Sequence, residues 1–194
     1  MNIHQLSVRY QPEQDRILLS LNTSAGQNLD IWLTRRLTLA LWPQLNLVVI
    51  DHFAIPADAK SDGFVDLAAM DKQTRSVLAD FRREEVLQNM DFDTPFQADS
   101  AQSLTGATPL LATEITLSPQ EGQKVQVHFK EQLSLTETVR GIQMDLQATL
   151  IFSLVQLLGQ ALEHTQWQIG VKPVVTDPDD SIPGQAETRP TYLN

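Results

Sequence analysis

A chain of 194 residues with a net charge of −10 and no cysteine can bury one sizeable core, but it can build neither a disulfide framework nor a thiolate metal site. So acidic a chain repels nucleic acid unless its bases cluster. The adjacent pairs Arg35-Arg36 and Arg82-Arg83, the second followed at once by Glu84-Glu85, make no such cluster.

The opening "MNIHQLSVRY" has no charged, apolar signal-peptide pattern. Its Leu6, Val8 and Tyr10 alternate as in a half-buried strand, with Ile3 just before them. A turn at "QPEQD", with Pro12 setting its backbone, leads to a second strand that puts Ile17, Leu19 and Leu21 on one face. A further turn, "NTSAGQN", leads to a third strand with Leu29, Ile31 and Leu33 on one face. Thr34 is placed to cap a helix carrying Leu37, Leu41, Trp42 and Leu45. Pro43 should kink or stop that helix, because proline offers no N–H. The next stretch, "LNLVVIDHFAIP", fits helix or strand equally.

A central helical segment follows over about Asp62 to Met90. Phe64, Leu67, Met70, Val77, Leu78 and Phe81 make one stripe at helical spacing, with Val86, Leu87 and Met90 on roughly the opposite side. "DFDTPFQADSAQSLTGATP" is a polar loop with Phe92 and Phe96 as apolar anchors.

The second half repeats the first in pattern. Ile115 and Leu117 precede a turn expected at Pro119, and Val125, Val127 and Phe129 alternate after it. Ile142, Met144 and Leu146 then match Leu29, Ile31 and Leu33. Leu150, Phe152, Leu154, Val155 and Leu158 match Leu37, Leu39, Leu41, Trp42 and Leu45. On this reading Val8, Tyr10 and Pro12 pair with Ile115, Leu117 and Pro119.

The predicted fold is α+β: two antiparallel three-stranded meanders, each followed by a helix, as an internal repeat joined by a helical connector. The boundaries read 1–58 for the first βββα unit, 59–108 for the connector and polar loop, 109–171 for the second unit, and 172–194 for an extended Pro-rich acidic tail. The most apolar window, Ala148–Leu162, is about 15 residues against the roughly 20 that a membrane span needs, so no span and a cytoplasmic location are expected.

Motifs for chemistry are sparse. His4, His52, His128 and His164 stand in no metal-ligand spacing. The glycines form no phosphate loop, and "DPDD" at Asp177–Asp180 lacks the alternating ligands and closing glutamate of a calcium loop. No catalytic, cofactor or metal residue is predicted. What stands out is apolar surface. The helix from Ala148 is apolar nearly all round, more than a two-layer domain needs. The expectation is therefore a non-enzymatic binding, scaffold or assembly protein, a homo-oligomer or bound to another protein. Its interface is predicted at Phe152, Leu154, Val155, Leu158 and Leu162, with Tyr192 and Leu193 of the tail. The alternative is an enzyme or small-ligand carrier with a pocket between the halves, walled by Arg35, Arg36, Asp51 and His52.

Overall fold

The computed structural model describes residues 3–54, 70–92, 94–97, 102–106, 108–134 and 139–167. In chain order these form β1 (Ile3–Gln11), β2 (Arg16–Thr23), β3 (Gln27–Thr34), α1 (Arg35–His52), α2 (Lys72–Gln88), β4 (Gln102–Ser103), β5 (Leu110–Leu111), β6 (Glu114–Gln120), β7 (Lys124–Glu131), β8 (Arg140–Gln147) and α3 (Ala148–Glu163). The architecture is α+β, and its two meanders are β1-β2-β3 and β6-β7-β8.

Alternation sets the buried faces. Ile17, Leu19 and Leu21 stand opposite Leu33, Ile31 and Leu29, and all six are buried. Val125 and Val127 stand opposite Leu146 and Met144 in the same way. A one-residue slip would turn each set to the outer face, so burial itself specifies the register. The tips of the meanders need left-handed backbone, supplied by Asp15 (φ 49°), Gly26 (φ 71°) and Gly122 (φ 73°).

Two prolines behave differently from the sequence expectation. Pro119 opens no turn. It lies in β6 opposite Val125, on a strand that among the described residues pairs with β7 alone, an edge position where proline's missing N–H is tolerated. Pro43 does not end α1, which runs unbroken to His52 and so makes "LNLVVIDH" helical. Its ring sits on the exposed side of the helix beside Leu39, so the carbonyl that loses its partner faces water. The Thr34 cap is present, with its hydroxyl accepting the Leu37 N–H at 3.3 Å.

The sheet registers also correct the matching of the first strands. Leu6, Val8 and Tyr10 face Leu21, Leu19 and Ile17. Ile115, Leu117 and Pro119 face Phe129, Val127 and Val125. Leu6 therefore corresponds in register to Ile115, Val8 to Leu117 and Tyr10 to Pro119, two residues away from the pairing suggested by the prolines. Period-two alternation cannot detect a slip of two, because it leaves every side chain on the same face.

Within the described part of the central segment, α2 is shifted from its predicted face. Val77 and Phe81 are 61% and 70% exposed, whereas Ala79 is buried and Leu78, Val86 and Leu87 pack against the core. Arg75, Arg82 and Arg83 on this helix are half-buried. Phe64 and Leu67 lie outside the described residues. The helix begins at Asp71, whose carboxylate accepts the Thr74 N–H at 2.8 Å; that bond holds the Asp71 carboxyl below its ordinary range.

The packing explains why α3 is apolar all round. Each unit's helix packs on the last two strands of its own meander and on the first strand of the other: α1 on β2, β3 and β6, and α3 on β7, β8 and β1. α2 lies against both. Phe152, Leu154, Val155, Leu158 and Leu162 are consequently buried, none more than 3% exposed. The five positions predicted for an interface thus pack inside this chain. Tyr192 and Leu193 lie outside the described residues.

Candidate functional site

The interlocked packing leaves a groove beside each meander's first strand. One groove runs between α3 and β1. Leu150, Ser153 and Leu157 line it from the helix and Leu6, Ser7 and Val8 from the strand, around a volume of about 450 Å³. The other runs between α1 and β6. Leu37, Ala40, Leu41, Gln44 and Val48 line it from the helix and Ile115, Thr116 and Leu117 from the strand, around about 370 Å³.

These linings correspond in part. Leu150, Ser153 and Leu157 lie 113 positions beyond Leu37, Ala40 and Gln44, the same offset that separates the helix caps Thr34 and Gln147, whereas Leu41 and Val48 line the α1–β6 groove alone. The strand residues are the ones matched by register, Leu6 with Ile115 and Leu117 with Val8. Both grooves therefore present two apolar side chains two positions apart on the strand wall, and the α3–β1 wall extends further to His4, Gln5 and Arg9.

Their third walls differ. The α3–β1 groove is also lined by Met90–Phe92 and Thr94–Phe96. The Met90 sulfur lies 3.2 Å from the Ser153 hydroxyl. Thr94 donates its N–H to the Asp91 carboxylate at 3.0 Å, which shapes a turn. Phe96 then reaches over the edge of β1, lining space on both sides of it. The chain is held there by polar bonds: Asn22 donates to the Gln97 carbonyl at 2.7 Å, and the Gln97 N–H donates to the Gln5 side chain at 3.3 Å. Ser20 and Asp30, a cross-strand pair bonded at 2.5 Å, lie in the same polar layer. The α1–β6 groove has walls from α1 and β6 alone among the described residues. Leu47, 36% exposed, extends its apolar rim one turn beyond Gln44.

The residues proposed for a pocket wall do not converge. Arg35 and Arg36 open α1, while Asp51 and His52 close it, about 25 Å away at 1.5 Å per residue. Asp51 pairs with Arg75 at 2.8 Å, and His52 Nε2 is 3.0 Å from the Lys124 carbonyl, joining α1 to the β6–β7 turn. The other histidines are dispersed: His4 on the rim of the α3–β1 groove, His128 beside Gly141 on β7's outer face, and His164 at the end of α3. Among the described residues, no group of three or more histidines or carboxylates could hold a metal ion, and no helix is long and apolar enough to cross a membrane.

The principal buried charge is structural. Glu131 is 4% exposed and stands opposite Arg140, which it binds through a short ion pair, while its other oxygen accepts the Leu111 N–H at 3.0 Å. Burial pushes its carboxyl up, but the Arg140 bonds and the Leu111 N–H together outweigh that, and the net shift is downward. The Leu111 N–H bond fastens β5, a strand of the first sheet, to β7 of the second, and the ion pair with Arg140 within the second sheet holds the carboxylate in place. Sequence spacing carried no sign of it, because the partners meet only through the β7–β8 register.

No family model, curated protein or solved structure matches this chain.

Proposed function

We propose that this is a non-enzymatic protein-binding protein, built as an internal βββα repeat, which receives an extended apolar segment of a partner protein in the α1–β6 groove. One observation supports the reading: two grooves of partly corresponding lining exist, and the one at α3–β1 is walled by a further stretch of the same chain that includes Met90 and Phe96. That stretch serves as an internal template for what the other groove would hold. Its partner would be a short extended segment with methionine or aromatic anchors two to four positions apart, a spacing that suits side chains alternating along an edge strand. The partner-binding branch of the sequence expectation is kept in preference to self-association, because the α3 residues that motivated self-association are covered within the chain.

Selection from a library of displayed random peptides tests this. The expected result is enrichment of Met- and Phe-containing extended sequences by the native chain and loss of that enrichment with Ala40→Glu. Ala40 is exposed, so the substitution blocks the groove without disturbing the core. Equal enrichment by both proteins, or none by either, overturns the reading.

A further inference from the structure

We propose a second binding site, on the outer face of the first sheet, where a small zwitterion, an amino acid with an aliphatic side chain, binds between Asp30 and Arg9. The proposal does not rest on the groove reading.

Strand register sets the floor of the site. Three cross-strand rows lie on the face of β1-β2-β3 turned away from the buried Leu19 and Ile31: Gln5-Asn22-Asn28, Ser7-Ser20-Asp30 and Arg9-Leu18-Trp32. The outer face of an antiparallel sheet is ordinarily left to solvent. Here Ser20, Asn22 and Asn28 are no more than 9% exposed. A cavity of about 350 Å³ lies over this face, with Ser103 and Thr105 on its far side. That volume suits a small molecule.

The fold accounts for part of this polarity only. Asn22 donates to Gln5 and to the Gln97 carbonyl, and Ser20 donates to Oδ1 of Asp30 at 2.5 Å. Among the described residues, Oδ2 of Asp30 has no side-chain donor and Arg9 forms no ion pair. Asn28 donates its amide to Asn22 at 3.4 Å, which leaves its side-chain oxygen as an acceptor beside Asp30.

The two charges have opposite signs and do not meet. Arg9 and Asp30 lie two strands and two residues apart, about 12 Å between Cα atoms by ordinary sheet geometry. That leaves room for a few atoms between their charged ends. An ammonium group would donate to Asp30 and Asn28, and a carboxylate would accept the Arg9 guanidinium fork. Leu18 and Phe96, on the same lining, offer apolar surface to the side chain. A ligand of one sign fits worse: a phosphate or dicarboxylate is repelled by Asp30, and a metal ion or polyamine by Arg9.

The far wall is held in place. The Ser103 hydroxyl donates to the Gly106 carbonyl at 2.8 Å, and Arg140 of the second sheet donates to the Thr105 carbonyl at 3.2 Å. A wall fixed before binding lowers the ordering cost of binding.

NMR titration of the isotope-labelled full chain tests the proposal with L-leucine as probe. Isopentylamine, which lacks the carboxylate, and isocaproate, which lacks the ammonium, serve as the comparison ligands. L-leucine should give saturable shifts at the amides of Asp30, Ser103 and Thr105, and each analogue should bind roughly tenfold or more weakly, the usual worth of a charged hydrogen bond. Arg9 is exposed, so Arg9→Gln leaves the fold intact; it should weaken leucine to the level of isopentylamine and leave isopentylamine itself unchanged. Asp30→Asn should do the same with isocaproate spared, and if that variant unfolds, Arg9→Gln decides alone. No saturable shift with leucine, shifts confined to the α1–β6 groove, or an analogue that binds as tightly as leucine overturns the proposal.

Discussion

The indole N–H of Trp167 donates to a carboxylate oxygen of Asp15 at 2.5 Å, across 152 positions of sequence. The same oxygen accepts the Tyr10 hydroxyl at 2.9 Å, and the Tyr10 and Trp167 rings meet edge to face with centroids 5.6 Å apart. The end of the second unit is thereby bolted to the first turn of the first. Trp167→Ala should lower stability by about 3–5 kcal/mol, the usual cost of emptying a buried aromatic site. Trp167→Phe should cost only about 1 kcal/mol more than the ring's reduced burial, for the lost hydrogen bond. Urea titration of the two variants separates packing from bonding.

Leu154→Glu should unfold the chain. Leu154 is 3% exposed inside α3, and an unpaired carboxylate there has no partner to offset its desolvation. Circular dichroism should show the loss of structure. A folded, merely dissociated variant would contradict the burial. By contrast Phe81→Lys, on the 70% exposed face of α2, should change stability by no more than about 0.5 kcal/mol.

Acid should weaken the β5–β7 fastening. The Glu131 carboxyl lies below its ordinary value of 4.5 in the folded chain. Its contribution is therefore full above that value and is lost as pH falls through the lower, folded one. Urea midpoints measured down the acid limb should fall, and Glu131→Gln should flatten the slope. At neutral pH that substitution should cost about 1–2 kcal/mol, less than for a fully buried pair because the Arg140 side chain is 42% exposed.

Pro43→Ala should raise the melting temperature. The substitution returns an N–H to the middle of α1 and adds about 1 kcal/mol or more, reduced by the greater freedom of the unfolded chain. A lower melting temperature would show that the proline shapes the seat of α1 on β6.

Truncation after Gly170 should leave the melting temperature within about 2–4 °C of the full chain, equivalent to about 1 kcal/mol for a domain of this size. Trp167 is the last residue described in the core. A drop of many degrees in differential scanning calorimetry would place the C-terminal stretch in the core itself.

The sequence by itself determined the elements: six strands of the two meanders, the helix at Arg35 with its Thr34 cap, and the apolar helix from Ala148. Those follow from periodicity and from local bonds such as Thr34 to Leu37, which lie within a few residues of one another. Of the two aromatic anchors it suggested for the polar loop, Phe96 is half-buried beside β1, whereas Phe92 is 46% exposed. Only the tertiary structure decided which helix covers which sheet. Alternation fixes a strand's face but not its neighbour. The crossed packing of α1 on β6 and α3 on β1 therefore had no local signature, and the apolar surplus of α3 read as an interface when it answers a second layer from the same chain. The same reason hid α2's inward face, where the buried Ala79 and half-buried arginines stand in place of the predicted stripe through Val77 and Phe81. The grooves arise where the crossed packing ends, between residues such as Ala40 and Leu117 that are far apart in sequence and adjacent only once both units are folded.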